Sequence, residues 1–166
     1  MNFDSNEEII KSISKIIEGL DFTIHEYGES IDEYSYLQEN ELCITIKNSS
    51  GEDAIYIDLA DELTLTIGAW HAHYDYSDED YNEMIEALKD YLECRICVLE
   101  IYYLKSGELK WFGSNSMTVE EFNLLPAKEL IKRYVDKRIW PINGNAVFRF
   151  FDEGKTITQD FSLGNI

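Results

Sequence analysis

The chain has 166 residues, 45% of them hydrophobic, and a formal net charge of −19 from 33 acidic and 14 basic side chains. The length and apolar content predict a single domain over residues 1–166 with a core of its own. No apolar run approaches the roughly 18 residues of a membrane span, no basic-then-apolar leader opens the chain, and so acidic a chain repels nucleic acid and anionic lipid.

The charge is uneven. Residues 1–93 hold 24 acidic and 4 basic side chains, whereas residues 94–166 hold 9 and 10. Such a field steers basic partners inward, although solubility alone also accounts for acidity of this size. Three cysteines, Cys43, Cys94 and Cys97, do not make a disulfide framework and predict a reducing, cytoplasmic setting.

In chain order, Ser5-Asn6-Glu7-Glu8 reads as a capping box. Ile9, Ile10, Ile13, Ile16, Ile17 and Leu20 follow at helical spacing, so a first helix is predicted from about Asn6 to Glu18. Phe22 to Tyr27 reads as a short strand. Gly28 to Asn40 has no clean period and mixes carboxylates with Tyr34 and Tyr36, which predicts an exposed loop or a hairpin edge. Leu42, Ile44 and Ile46, and then Ile55, Ile57 and Leu59, alternate with more polar residues around an Asn48–Gly51 turn. Asp61-Glu62 makes a further tight connection. Strands joined this closely predict an antiparallel meander.

The stretch Leu63–Asp80 organises the rest. Leu63, Leu65 and Ile67 alternate with Thr64 and Thr66, as a half-buried strand does. Gly68 predicts a bulge, which shifts the pattern by one residue. Trp70, Ala72 and Tyr74 then point inward, and His71, His73 and Asp75 point to water, which spares their desolvation. Ser77-Asp78-Glu79-Asp80 caps a helix whose apolar face is Tyr81, Met84, Ile85, Leu88, Tyr91 and Leu92.

Ile96–Leu104 and Leu109–Gly113 form a hairpin through Lys105–Glu108. Thr118-Val119-Glu120-Glu121 opens another helix, and Pro126 divides it, so a second piece runs to about Lys137. Pro141–Asn145 reads as a loop, and Val147–Phe151 with Thr156–Phe161 as a last hairpin. The predicted fold class is α+β: a mainly antiparallel sheet of meander and hairpins with about three to four helices packed on it.

Catalytic chemistry has little foothold. No nucleophile elbow, phosphate loop or dinucleotide fingerprint occurs. Cys94-Arg95-Ile96-Cys97 has redox spacing, but it sits where a helix gives way to a strand, the reverse of a thioredoxin-type context, and reads as buried packing. His71, His73 and Asp75 on alternate strand positions are the one metal-type pattern, and a metal-binding module or metal-dependent hydrolase centred on them is the alternative reading. Hydrogen-bonded surface histidines are the simpler account, so no metal ligand, cofactor or catalytic residue is assigned.

Aromatic residues among carboxylates make the preferred site: Asp32, Glu33, Tyr34 and Tyr36 in the Gly28–Asn40 loop, with Tyr74, Asp75, Tyr76, Asp78, Glu79 and Asp80 at the corner before the helix. Tyrosine gives contact area at low entropic cost, and carboxylates around it complement a basic surface. Half-buried structural positions are the equal alternative for Tyr34, Tyr36 and Tyr76, and Tyr81 reads as core. The expectation is an acidic protein, monomer or homodimer, that binds a basic protein and neither nucleic acid nor membrane.

The layout Ile67-Gly68-Ala69-Trp70-His71-Ala72-His73-Tyr74-Asp75, an acid-capped helix, Ile96–Leu104 and then Trp111-Phe112-Gly113 resembles immunity proteins of bacterial toxin systems. The likeness spans about Leu42 to Gly113 and rests on pattern. It implies a cytoplasmic inhibitor that neutralises a cognate toxin, often a nuclease, and it assigns no individual residue.

Overall fold

The computed structural model describes residues 6–29, 31–135, 142–151 and 155–164, and of Asp32 and Asp53 the backbone alone. The chain divides into two compact units, residues 1–90 and 91–166. The first unit holds 23 acidic and 4 basic side chains and the second 10 of each, so the whole net charge belongs to the first.

The first unit runs α1 (Asn6–Ile16), β1 (Phe22–Glu26), a 3-10 helix (Asp32–Tyr34), β2 (Leu42–Lys47), β3 (Asp53–Leu59), β4 (Leu63–Ile67), β5 (Trp70–Tyr74) and α2 (Asp78–Leu92), which ends just past the boundary. Its five strands form an antiparallel meander in the order β1-β2-β3-β4-β5. The register sets the core. Leu42, Leu59 and Leu63 make one row across the sheet, Ile44, Ile57 and Leu65 the next, and Ile46 pairs with Ile55 beyond. All are buried, as are Ile9 and Ile13 of α1 and Met84, Ile85 and Leu88 of α2. Each such side chain contributes about 1.5–3 kcal/mol by leaving water, so this face dominates the stability of the unit. Ser77 caps α2 as predicted: its Oγ accepts from the Asp80 N–H at 3.1 Å and donates to Asp80 Oδ2 at 2.9 Å. Ser5, the predicted cap of α1, lies outside the described residues.

Two expectations are corrected here. Gly68 does not bulge a continuous strand. Ile67 pairs with Trp70, so Gly68 and Ala69 are the two-residue turn of a hairpin, with Gly68 at φ 58°. Glycine at the first central position is what a type II′ hairpin turn requires. The outcome for the side chains stands, because a two-residue turn also reverses the pattern: Trp70, Ala72 and Tyr74 are half-buried and His71 and His73 exposed. Tyr34, placed by the sequence in an exposed loop, is 6% exposed instead.

The second unit runs β6 (Ile96–Lys105), β7 (Glu108–Thr118), α3 (Val119–Leu124), α4 (Ala127–Tyr134), β8 (Ile142–Arg149) and β9 (Thr156–Leu163). Its antiparallel sheet has the order β7-β6-β8-β9. Thr118 caps α3 by accepting from the Glu121 N–H at 3.1 Å, and Pro126 separates the two helices as predicted. Lys137 and Arg138 fall outside the described residues. Ile142–Asn145 is strand rather than loop. It pairs with β9, and Gly144 faces Tyr103 of β6, where a Cβ would stand 1.9 Å from the Tyr102 carbonyl oxygen. The glycine thus marks close approach of two backbones, not a turn. Glu100 of β6, fully buried, is held by Arg149 of β8 at 2.6 Å and 3.1 Å and accepts from the Tyr102 hydroxyl at 2.9 Å. The architecture is α+β with antiparallel sheets, of which there are two. No helix among the described residues is long and apolar enough to cross a membrane.

Candidate functional site

A meander brings alternate connections to the same end of its sheet. The β1–β2 segment, the β3–β4 turn and the segment between β5 and α2 therefore all lie at one end of the five-stranded sheet. Residues 26–41 contribute Glu26, Glu29, Asp32, Glu33, Glu39 and Glu41; residues 58–62 contribute Asp58, Asp61 and Glu62; residues 74–80 contribute Asp75, Asp78, Glu79 and Asp80. That is thirteen carboxylates with no lysine or arginine among these segments. Five strands span about 19 Å, so the ends of these segments share one edge of the sheet, while the middle of residues 26–41 runs over the polar face, where Glu33 lines a cavity with Lys47 and Glu52 of the opposite end.

The two acidic stretches singled out in the sequence are thus joined through a third, Asp58–Glu62, which reads there only as a connection. Tyr76 marks the join. Its hydroxyl donates to the Ala60 carbonyl at 2.8 Å, and burial followed by the nearby Glu41 and Asp61 carboxylates pushes the phenol above its ordinary pKa. Tyr36 is 54% exposed and donates to Asp58 Oδ1 at 2.5 Å. Burial first, and then this bond, raise its pKa strongly, so it stays a neutral donor. Asp75, Asp78, Glu79 and Glu33 are exposed, Tyr74 is half-buried, and Asp80 is partly occupied as a cap. Asp32 opens the 3-10 helix.

The sheet face turned away from the core carries two polar rows: Thr23, Thr45, Tyr56, Thr66 and His71, then His25, Cys43, Asp58, Thr64 and His73. The 3-10 segment covers one half. Tyr34 and Leu37 pack with Cys43 and Tyr56, and the Tyr34 hydroxyl meets Thr45 Oγ1 at 3.0 Å. Burial pushes the Cys43 thiol up to about 12. On the open half His71 and His73 stand edge to face with ring centroids 5.1 Å apart, and His73 Nδ1 meets Glu62 Oε1 at 2.6 Å and Thr64 Oγ1 at 3.2 Å. His71, His73 and Asp75 are not gathered as a donor set. Among the described residues no group of three or more His, Cys, Asp or Glu side chains is placed to hold a metal ion.

Under the 3-10 segment lies a cavity of about 520 Å³ whose floor includes Thr23, His25 and Thr45 and whose wall is Tyr34. The imidazole of His25 stacks on Tyr34, and its Nδ1 meets Glu29 Oε2 at 3.0 Å. Glu29 also accepts from the Glu26 N–H at 2.9 Å. The bond from His25, and then the one from Glu26, hold the Glu29 carboxyl below its ordinary range. His25 reads as an unremarked strand residue in the sequence. Its i, i+4 spacing from Glu29 across Tyr27-Gly28 is the only local signal. Of the Cys94/Cys97 pair, Cys97 is buried, with its thiol raised to about 12 by burial, and both cysteines are free thiols.

No protein-family model, curated protein or solved structure matches the chain.

Proposed function

We propose that this chain is an acidic binding protein that neutralises a cognate toxin, a basic nuclease domain, by occluding it. The observation that carries the reading is that the three connecting segments whose ends meet at one edge of the sheet hold thirteen carboxylates and no lysine or arginine. A nuclease site is basic because it holds phosphates, and a rim of this sign competes for the same surface. Long-range attraction speeds encounter, and orientation of the rim sets the docked register. Tyr36 and Tyr76, exposed within the rim, supply contact area between the charges. The reading is that of an inhibitor acting where its toxin would act, in the cytoplasm, with no cofactor and no catalytic step. The resemblance of residues 42–113 to immunity proteins of toxin systems points the same way.

The test is co-expression with the C-terminal domain of the reading frame immediately upstream of this chain's gene. The expected result is restored growth and a complex that co-purifies and dissociates with rising salt. Growth arrest unrelieved by the chain, with no complex, would overturn the reading.

A further inference from the structure

We propose that β5 is a docking strand: its open lateral edge takes an extended, lysine- or arginine-bearing segment of the partner as a sixth strand of the first unit's sheet. β5 is last in the order β1-β2-β3-β4-β5 and pairs on one side, with β4. Ile67 and Trp70 close a two-residue turn and are therefore a hydrogen-bonded pair. The alternation that follows turns the N–H and C=O groups of Trp70, Ala72 and Tyr74 toward β4, and those of His71 and His73 away from it. Both histidines are exposed, and among the described residues no strand pairs on that side. Two donors and two acceptors thus stand in a row, as strand addition requires. Sheet edges are ordinarily blunted by a lysine, a proline or a bulge. β5 has no lysine or proline, and its pairing with β4 runs without a register shift.

Charge selects the occupant. Residues 48–88, which include β3, β4, β5 and most of α2, hold eleven carboxylates and no lysine or arginine. A second copy would bring the same eleven to the contact, and the two would repel. A basic strand would be drawn in. Its side chains on the polar face would fall beside His73 and Glu62, which meet at 2.6 Å, and one end would lie near Asp75, the residue after β5. Its alternate side chains would fall beside Trp70, Ala72 and Tyr74, each half-buried, where apolar groups extend the buried face. The segment that fits therefore alternates basic with apolar residues. The inference rests on the proposed function, since the toxin domain supplies the strand, but the edge can be tested without it.

The probe is a capped hexapeptide alternating lysine with valine, titrated into the isotopically labelled full chain at fixed pH and ionic strength, with backbone amides followed by NMR. The expected result is a saturable shift of the His71 and His73 amides with roughly millimolar affinity, and slower hydrogen exchange at both, absent with the glutamate-for-lysine peptide. The variant His71→Lys/His73→Lys, which alters two exposed side chains and no backbone group, should weaken it about three- to tenfold by placing like charges opposite each other. No saturable shift, an equal response to the glutamate peptide, or an unaltered affinity in the variant would each overturn the docking strand. Protection of the two amides that rises with the concentration of the chain alone would overturn it too, by giving the edge to a second copy. If the upstream domain binds while the peptide fails, or binds and leaves both amides unprotected, the docking strand is wrong and the inhibitor reading stands. If the peptide docks but the upstream domain does not bind, the docking strand stands and the partner is wrong.

Discussion

The imidazole of His25 lies flat against the phenol ring of Tyr34, with centroids 3.7 Å apart and planes 9° apart. One ring belongs to β1 and the other to the 3-10 helix, so the contact fastens residues 31–37 to the polar face of the sheet. It also builds the wall and floor of the cavity. Tyr34→Ala should destabilise the first unit by about 3–5 kcal/mol, as loss of a buried aromatic does. Tyr34→Phe should cost about 1 kcal/mol, because the ring stays in place and the bond to Thr45 is lost. Urea unfolding followed by fluorescence measures both, and equal costs would show that the ring does not pin the segment.

The Glu29–His25 bond makes a prediction about acid. Glu29 has a folded pKa below its ordinary value of 4.5, held there first by the bond from His25. Its contribution is therefore complete above the unfolded value and lost as the pH falls through the lower, folded one. Glu29→Gln should be less stable than the native chain at neutral pH, and the difference should shrink to nothing below the folded value. Unfolding curves collected from pH 7 to pH 2 would show this, and a difference that persists in acid would refute it.

In the second unit Arg149 answers a fully buried carboxylate, Glu100. Arg149→Ala leaves that charge without its cation and should cost about 3–5 kcal/mol. Gly144→Ala should be comparably damaging, since its Cβ would stand 1.9 Å from the Tyr102 carbonyl oxygen. Thermal unfolding of each variant checks the two, and a Gly144→Ala protein of native stability would mean that β6 and β8 are not so close.

Thiol chemistry follows from burial. Cys43 and Cys97 are fully buried, and each has a pKa of about 12. At pH 8 only about one molecule in ten thousand would carry either thiolate. Cys94 is partly exposed. Titration of the native chain with an aromatic disulfide reagent should show one fast thiol, abolished in Cys94→Ala, and two more only after denaturant. Three fast thiols, or none, would contradict the packing.

Strand alternation and helix caps were legible in the chain because they rest on local rules. Alternation at Leu42–Ile46 and Ile55–Leu59, the Ser77 and Thr118 caps, and the break at Pro126 depend on neighbours within a few residues. Where partners are distant, local rules misled. Pro141–Asn145 has loop composition, yet β6 and β9 recruit Ile142–Asn145 into a strand. Tyr34 lies in a polar, aperiodic stretch, yet His25 and Thr45, nine and eleven residues away, bury it. Gly68 reads as a bulge from its neighbours alone, and only the pairing of Ile67 with Trp70 makes it a turn. The third acidic segment needed no side-chain contact to find. Counting connections in the meander already places Asp61 and Glu62 beside Glu41 and Tyr76.

The central claim is that the acidic rim carries the partner. It is tested most directly by the association rate between the upstream-encoded domain and the variant Asp61→Lys/Asp75→Lys/Asp78→Lys, which spares Asp80 because that residue helps cap α2. The account predicts a rate lowered about 10-fold or more at low salt, converging on the native rate as salt screens the charges. An association rate equal to that of the native chain at every salt concentration would contradict it.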